Sequence, residues 1–207
     1  MSWCGDLASS VVYVHRGSRV MLAEKDDCLQ LIGEGRSAFA FRIRGTDLVL
    51  KVFFPPFERI AAEEAEIYQE LKGNPFFPAL HESGGNYLVI DYVQGTTLFN
   101  CLVNGIPIAS RHIKEVDDAL QLAREKGLNP SDIHLRNIIV TPDGNVRLID
   151  VARFRQTKKC SQWDDLKRAF YKFYRHKRFP KKVPEYAMNV VAFFYKKGLL
   201  PSLNEYS

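Results

Sequence analysis

Asp132, Asn137 and Asp150 lie on one short stretch, Asp-Ile-His-Leu-Arg-Asn-Ile-Ile-Val-Thr-Pro-Asp-Gly-Asn-Val-Arg-Leu-Ile-Asp. All three offer oxygen atoms, the ligand type that suits a hard cation such as Mg²⁺. The stretch also predicts how they meet. Ile138 to Val140 is a β-branched run, Thr141-Pro142-Asp143-Gly144-Asn145 is dense in turn residues, and Val146 to Ile149 is apolar again. That pattern predicts a β-hairpin with Asp-Gly in its turn. If Val140 pairs with Val146, Asn137 falls beside Ile149 and Asp150 at the open end, and Asp132 sits just before it. Two carboxylates and an amide then converge on one mouth.

Two further charges stand where the pattern is apolar. Lys51 interrupts Leu48-Val49-Leu50-Lys51-Val52-Phe53. An unpaired ammonium is costly to bury, so a lysine in the middle of such a strand needs a partner or a ligand. Pro55-Pro56 ends this strand, and Phe57 to Lys72 reads as a helix closed by Gly73-Asn74-Pro75. Its apolar stripe is Phe57, Ile60, Ile67, Tyr68 and Leu71, and Glu64 falls inside that stripe. Glu63, Glu66 and Glu70 lie on another, solvated face. Glu64 is therefore the expected partner of Lys51, with Glu63 left open because helix rotation is not set by sequence alone.

Upstream, Leu31 to Phe41 reads as strand, glycine turn, strand, with Gly33-Glu34-Gly35 at the turn. Two glycines let a backbone approach a phosphate closely. Val11 to Val14 and Val20 to Leu22, separated by Gly17-Ser18, read as a hairpin or leading strands. Asn86 to Gly95 reads as an apolar strand leaving through polar residues to a glycine. Thr96 to Gly105 follows. Ser110 to Lys126 carries Ile113, Val116, Leu120 and Ala123 on one helical face, and Gly127 ends it. Trp163, Leu166, Phe170, Phe173 and Tyr174 form another helical stripe. Pro184 to Tyr195 reads as a last helix, with Lys196 and Lys197 near its C-terminal dipole and Gly198 closing it.

These elements, in this order, resemble the protein-kinase-like phosphotransferases. The spacing Asp132-x-x-x-x-Asn137 matches the second half of the kinase catalytic loop, and Asp150-Val151-Ala152 stands where that family has Asp-Phe-Gly. Short bacterial predicted serine/threonine kinases are most similar; RIO kinases and the small kinase/ATPase of the KEOPS tRNA-modifying complex are similar as well. The resemblance runs from about Leu31 to Asp165. It implies an α+β, bilobal fold, with a β-rich N-lobe over residues 1–94 and a reduced helical C-lobe over residues 95–207, together one kinase-like domain.

The resemblance also implies roles. Asp132 orients or deprotonates the acceptor hydroxyl, Asn137 and Asp150 hold Mg²⁺, Lys51 contacts ATP phosphates and Glu64 holds Lys51. Gly33, Glu34 and Gly35 cover the nucleotide. Ile90 is the gatekeeper, and Asp91 and Val93 supply backbone groups to adenine. Asp164 or Asp165 matches the aspartate that braces the catalytic loop. Three departures stand out. Ala38 replaces the third glycine. Pro130-Ser131 replaces the His-Arg before the catalytic aspartate, which removes the usual partner of a phosphorylated loop. Trp163 comes only 13 residues after Asp150, without the Ala-Pro-Glu motif and with little room for a peptide-docking segment.

The expected function is an ATP- and Mg²⁺-dependent transfer to a hydroxyl-bearing acceptor, protein or small molecule, by an atypical serine/threonine protein kinase. A small-molecule kinase, an ATPase serving an RNA-modifying assembly, and a nucleotide-binding pseudokinase are the alternatives. Retention of Lys51, Asp132, Asn137 and Asp150 argues against the last.

At 207 residues, with 46% hydrophobic and 26% charged, the chain has globular values and room for a sizeable core. No apolar run approaches the roughly 20 residues of a membrane span. Cys4, Cys28, Cys101 and Cys160 are scattered, and Met1 to Asp6 lacks a signal peptide's basic region and apolar core. The expectation is a cytoplasmic protein with free thiols. The formal charge of +5 is uneven: Arg153 to Lys182 holds five Arg and seven Lys against two Asp, net +10, which leaves −5 for the remainder. That basic stretch raises RNA as a candidate contact or serves only to keep an aromatic-rich lobe soluble.

Overall fold

The computed structural model describes residues 2–17, 19–158 and 160–197, excluding the side chain of Lys196. The architecture is α+β, as expected, and divides into two compact units, Met1–Val93 and Gln94–Ser207. Gly198 and Ser18 lie outside the described residues.

The first unit is built on a five-stranded antiparallel sheet. Its strands are β3 (Leu29–Glu34), β4 (Ala38–Ile43), β5 (Leu48–Phe53), β6 (Leu80–Ser83) and β7 (Tyr87–Asp91), in the order β3-β4-β5-β7-β6. A separate hairpin, β1 (Val12–Arg16) with β2 (Arg19–Glu24), forms from the two leading apolar runs, the first of the two expected arrangements. Between β5 and β7 in the chain, Pro55-Pro56 open a single 3₁₀ turn that leads into α2 (Glu58–Glu70).

Strand β5 is the sheet's centre. Its side chains alternate between two covered faces, which is why it reads as continuously apolar. Leu50 and Val52 join Phe39, Phe41, Tyr87 and Val89 in a core completed by Cys4, Leu7, Ala8 and Val11. Val49, Lys51 and Phe53 point the other way, toward α2. The first of these coverings was absent from the sequence reading: α1 (Trp3–Ser9) precedes the hairpin. Its N-cap is Ser2, whose Oγ accepts from the Gly5 N–H at 3.1 Å. Cys4, Leu7, Ala8 and Val11 recur at helical spacing and bury one face.

The second unit carries a small sheet, β10-β9-β8, of β8 (Thr96–Thr97), β9 (Ile138–Val140) and β10 (Val146–Leu148). It is packed by α3 (Leu98–Asn104) and α4 (Ser110–Glu125). Thr97 caps α3 by accepting the Asn100 N–H at 3.1 Å, and Gly105, with φ 74°, ends it. The α4 stripe buries Ile113, Val116, Leu120 and Ala123 as its periodicity predicts. Glu115, on the same helix, accepts the Val146 N–H at 2.7 Å, so α4 also satisfies the outer edge of the hairpin.

Helix α5 (Gln162–Ala169) runs into a π turn over Phe170–Tyr174, and α6 (Glu185–Lys196) follows with Pro184 as its N-cap. The expected stripe is corrected at one position. Trp163, Phe170 and Tyr174 are buried, but Phe173 is 43% exposed. The Arg175 N–H reaches back five residues to the Phe170 carbonyl at 3.1 Å, so the turn is wider than an α-turn and rotates Phe173 outward.

Asp165 closes this region. Its carboxylate accepts from Arg168 at 2.5 Å, Tyr195 Oη at 2.7 Å and Ser161 Oγ at 3.2 Å. Burial alone would raise this carboxyl; the hydrogen bonds from Arg168, Tyr195 and Ser161 outweigh it and hold Asp165 below its ordinary value. Burial, then Asp165 itself, pushes the Tyr195 hydroxyl up to about 12. No helix among the described residues is long and apolar enough to cross a membrane.

Two outcomes follow. A Cβ on Gly95 would stand 2.3 Å from the Val140 carbonyl oxygen. Gly95→Ala should therefore lower stability by about 2–3 kcal/mol, read by thermal denaturation, because backbone rather than a flexible side chain must move. Asp165 has a depressed folded pKa, so its stabilisation is present above the ordinary aspartate value of about 3.9 and is lost as pH falls through the folded value. Asp165→Asn should flatten the acid limb of the stability profile, followed by Trp163 fluorescence.

Candidate active site

In the first unit, the lysine and glutamate that interrupt apolar patterns are brought together. Lys51 pairs across the sheet with Ala40 on one side and Leu88 on the other, so it occupies the central strand and not an edge. Its Nζ donates to Glu64 Oε1 at 2.9 Å and Oε2 at 2.8 Å. Glu64 is 0% exposed, whereas Glu63, the alternative partner, is half-buried. Helix α2 faces the sheet with Ala61, Glu64, Ala65, Ile67 and Tyr68, which is the rotation that aims Glu64 inward. The bidentate contact satisfies both carboxylate oxygens, the condition under which a buried ion pair holds.

The glycine hairpin is tight. Gly33 lies within β3, at an irregularity of register opposite Ala40, and not in the turn proper. The Gly35 N–H donates to the Ala38 carbonyl at 2.9 Å. Neither glycine has positive φ; what they supply is room. A Cβ on Gly35 would meet the Ala38 oxygen at 3.1 Å. Glu34 ends β3 opposite Phe39 with its side chain exposed, and Ala38 is buried as the first residue of β4.

At the end of this unit, Ile90 is buried between Val49 and Leu80. The Asp91 N–H goes to the Ala79 carbonyl at 3.1 Å, and its carboxylate accepts from the Ala79 N–H at 2.8 Å and sits 2.6 Å from His81 Nε2. The Asp91 N–H and carboxylate are therefore already engaged within the first unit. Val93 makes no backbone hydrogen bond among the described residues.

In the second unit, Val146 pairs with Val140, Arg147 with Ile139 and Leu148 with Ile138. The Ile149 N–H then donates to the Asn137 carbonyl at 2.9 Å, so Asn137 and Asp150 close the hairpin side by side. The turn at the other end is held by Thr141, whose N–H and Oγ1 both reach the Asn145 carbonyl at 2.9 Å, with Gly144 at φ 81°. Asp150 is exposed; Asp132 and Asn137 are half-buried, and the Asp132 carboxylate has no hydrogen bond or ion pair among the described residues.

The backbone singles out the same two aspartates. Asp132 has φ 60° and Asp150 φ 64°, and they are the only non-glycine residues with left-handed φ among the described residues. Aspartate tolerates this region better than most residues, but it still stores strain that the surroundings must over-determine.

Expected metal ligands fit one class of ion. No cluster of three or more His, Cys, Asp or Glu among the described residues could hold a metal. A carboxylate and an amide alone suit Mg²⁺, which keeps waters and takes phosphate oxygens to complete its octahedron.

The brace expected from Asp164 or Asp165 is not found among the described residues. Asp165 is engaged by Arg168, Tyr195 and Ser161, and Asp164 lies 4.0 Å from Lys167. Asn129, which the sequence reading passed over, makes the connection instead. Its N–H donates to the Phe154 carbonyl at 2.6 Å, and its Nδ2 to the carbonyls of Gln156 at 2.6 Å and Lys158 at 3.2 Å. The only sequence signal was an asparagine in a turn-rich run, three residues before Asp132. Arg136, between Asp132 and Asn137, stacks 3.4 Å over the Phe99 ring and donates to Asn189 at 3.2 Å.

The basic stretch is partly neutralised within its own unit. Lys167 is 2.8 Å from Asp117, which also accepts from Trp163 Nε1, and Arg168 is held by Asp165.

No family model matches the chain. Individual relatives do. It is 48% identical over 193 residues to "Putative serine/threonine-protein kinase YrzF" of Bacillus subtilis, an alignment covering 92% of this chain and 90% of that protein. It is 29% identical over 148 residues to "Probable serine/threonine-protein kinase CPE1738" of Clostridium perfringens, covering 63% of this chain and 22% of that one. It is 28% identical over 95 residues to "Protein kinase C zeta type" of Oryctolagus cuniculus, covering 42% and 16% respectively. None of these names supports RNA contact.

The ion pair makes a stability prediction independent of any activity. Lys51→Met removes the ammonium that bonds both oxygens of the fully buried Glu64 carboxylate and should cost about 3–5 kcal/mol in a urea titration. The double change Lys51→Met/Glu64→Leu should recover most of that loss, because it removes the buried carboxylate as well.

Proposed function

The chain belongs to the serine/threonine-protein-kinase-like family, and from that premise we propose that it is an ATP- and Mg²⁺-dependent phosphotransferase, an atypical minimal serine/threonine protein kinase. The observation that carries this reading is the pair of left-handed aspartates at the two ends of the catalytic hairpin stretch, Asp132 and Asp150. Strain of this kind persists where function requires a side chain in one place.

In this reading Asp132 accepts the proton of the acceptor hydroxyl. The hydroxyl oxygen bonds to the γ-phosphorus, the bond from that phosphorus to the β-phosphate bridging oxygen breaks, and ADP leaves with the bond's electrons. The Asp132 carboxylate has no competing partner among the described residues, which suits a base that must be free to receive a proton. Asp150 and Asn137 would hold Mg²⁺, which supplies charge neutralisation on the phosphates when bound. Lys51, oriented by Glu64, would contact ATP phosphates. The Gly35 turn gives close backbone approach, and the Asp91 carbonyl and the Val93 backbone would take adenine. The protein's contribution is placement and fixed charge.

A second reading, a small-molecule kinase or an ATPase, rests on a specific feature. Between Asp150 and α5 the described residues form only turns, with no strand or helix on which a peptide could lie. Labelled ATP supplied with protein, small hydroxyl compounds or water alone separates the two, because the labelled product names the acceptor.

Glycine substitutions test the site most cleanly, since they remove the carboxylate without leaving strain. Asp150→Gly relieves the left-handed φ of a non-glycine residue, while Mg²⁺-dependent nucleotide binding and turnover should disappear. Asp132→Gly should leave MgATP affinity nearly intact and lower turnover about 10²- to 10⁴-fold. Asn137→Ala should weaken metal dependence less than Asp150→Gly. Wild-type turnover by Asp132→Gly would remove the assignment and favour a nucleotide-binding module.

A further inference from the structure

Kinase-type loops are commonly ordered by a phosphate that pairs with arginine. Here Pro130-Ser131 stands before Asp132, so that arginine is missing, yet the segment after Asp150 is held. Three carbonyls of that segment, those of Phe154, Gln156 and Lys158, accept hydrogen bonds from one residue, Asn129. We propose that Asn129 is a positioning residue that keeps the segment after Asp150 assembled without phosphorylation, so that the site is permanently in its working arrangement. This rests on the phosphotransfer reading above.

The chemistry of the side chain fits the task. A primary amide nitrogen carries two hydrogens, and Asn129 Nδ2 has two carbonyl partners. An aspartate of the same shape offers only acceptors and would face those carbonyls with like charge. The Asn129 carbonyl is used as well: it accepts from Ser131 Oγ at 3.0 Å, and Ser131 is fully buried. Pro130 restricts the backbone between them. The turn leading into Asp132 is therefore rigid, and the clamp is part of it.

Two side chains anchor the far side. Val151 and Phe154 are buried, and the Phe154 N–H closes a turn onto the Val151 carbonyl at 2.9 Å. Asn129 lies three residues before Asp132, and the first carbonyl it holds lies four residues after Asp150. One residue thus braces the flanks of both strained aspartates, which supplies the over-determination that left-handed φ at each of them demands. The two hydroxyls in the segment, Thr157 and Ser161, are not needed for this arrangement; Thr157 is exposed and Ser161 is bonded to Asp165.

The test compares wild type, Asn129→Ala and Asn129→Asp by hydrogen exchange and by turnover at saturating ATP. In both variants the amides of residues 151–158 should exchange at least about tenfold faster, while those of the 138–148 hairpin keep wild-type protection. Turnover should fall about 10- to 100-fold, as expected from sub-ångström misplacement, with the KM for ATP changed less than about threefold. Phosphatase-treated wild type and Thr157→Ala/Ser161→Ala should turn over at the wild-type rate. Wild-type exchange of 151–158 in both variants, or loss of turnover on phosphatase treatment, overturns the proposal. A wild type that transfers no phosphate would instead defeat the functional reading, and the exchange measurement would still decide whether Asn129 is the clamp.

Discussion

An ionised carboxylate with no solvent exposure needs compensating charge or hydrogen bonds, and Glu64, bonded through both oxygens by Lys51, sets much of the first unit by that requirement. Its only place is on the inner face of α2, so the helix cannot rotate without taking a bare charge into the core. The cation comes from the middle strand of the sheet, where Lys51 is flanked by β4 and β7 and has no path to an edge. The pair therefore ties helix to sheet at one register and one rotation. Covering the opposite face falls to α1, whose small apolar stripe meets Leu50 and Val52. An apolar pair of equal volume would hold the layers together as well or better. That the ionic pair stands there agrees with a role for the ammonium beyond packing.

In the second unit the corresponding constraint is backbone strain. Left-handed aspartates are held at Asp132 and Asp150 by a hairpin that cannot slip and a turn that cannot relax. Slippage is prevented by the paired Val140 and Val146, by Gly144 in the turn and by Glu115 taking the outer N–H of Val146. A one-residue shift would turn Ile138 and Leu148, both buried, to the wrong face. Relaxation is prevented by Asn129 and by the buried Val151 and Phe154. Charge and strain are thus placed separately, one set in each unit, and each set is supported by hydrogen bonds that leave few polar groups unmet.

The hairpin, the Lys51–Glu64 pair and the α4 stripe were legible because each is a local pattern with one outcome. Period-two alternation around an Asp-Gly turn admits one fold-back. A charge in an apolar stripe demands a partner of opposite sign. Other features were hidden by the same logic. Helix α1 has only seven residues, and the β-branched run that follows it carries a stronger signal. Phe173 obeys the helical stripe in sequence and leaves it in space, since a π turn adds a residue per turn and no composition rule announces it. The brace assigned to Asp164 or Asp165 went elsewhere, because Tyr195, thirty residues on, supplies a hydroxyl that no local pattern links to it.

By itself the sequence determined which residues carry charge, which positions are apolar at period two or 3.6, and which turns are permitted; these follow from side-chain chemistry and from steric limits within a few residues. The family resemblance that those residues carry implies the class of fold and the residues of the candidate site. Tertiary structure decided what depends on distant partners. It chose Glu64 over Glu63 by the rotation of α2, put Lys51 in a central strand, used the Asp91 carboxylate and N–H in holding Ala79, and gave Asn129 its three carbonyls. The physical reason is that a hydrogen-bond donor or a buried charge has a fixed need but no address: the need is written in the residue, and the partner is whichever group the packed layers bring within about 3 Å.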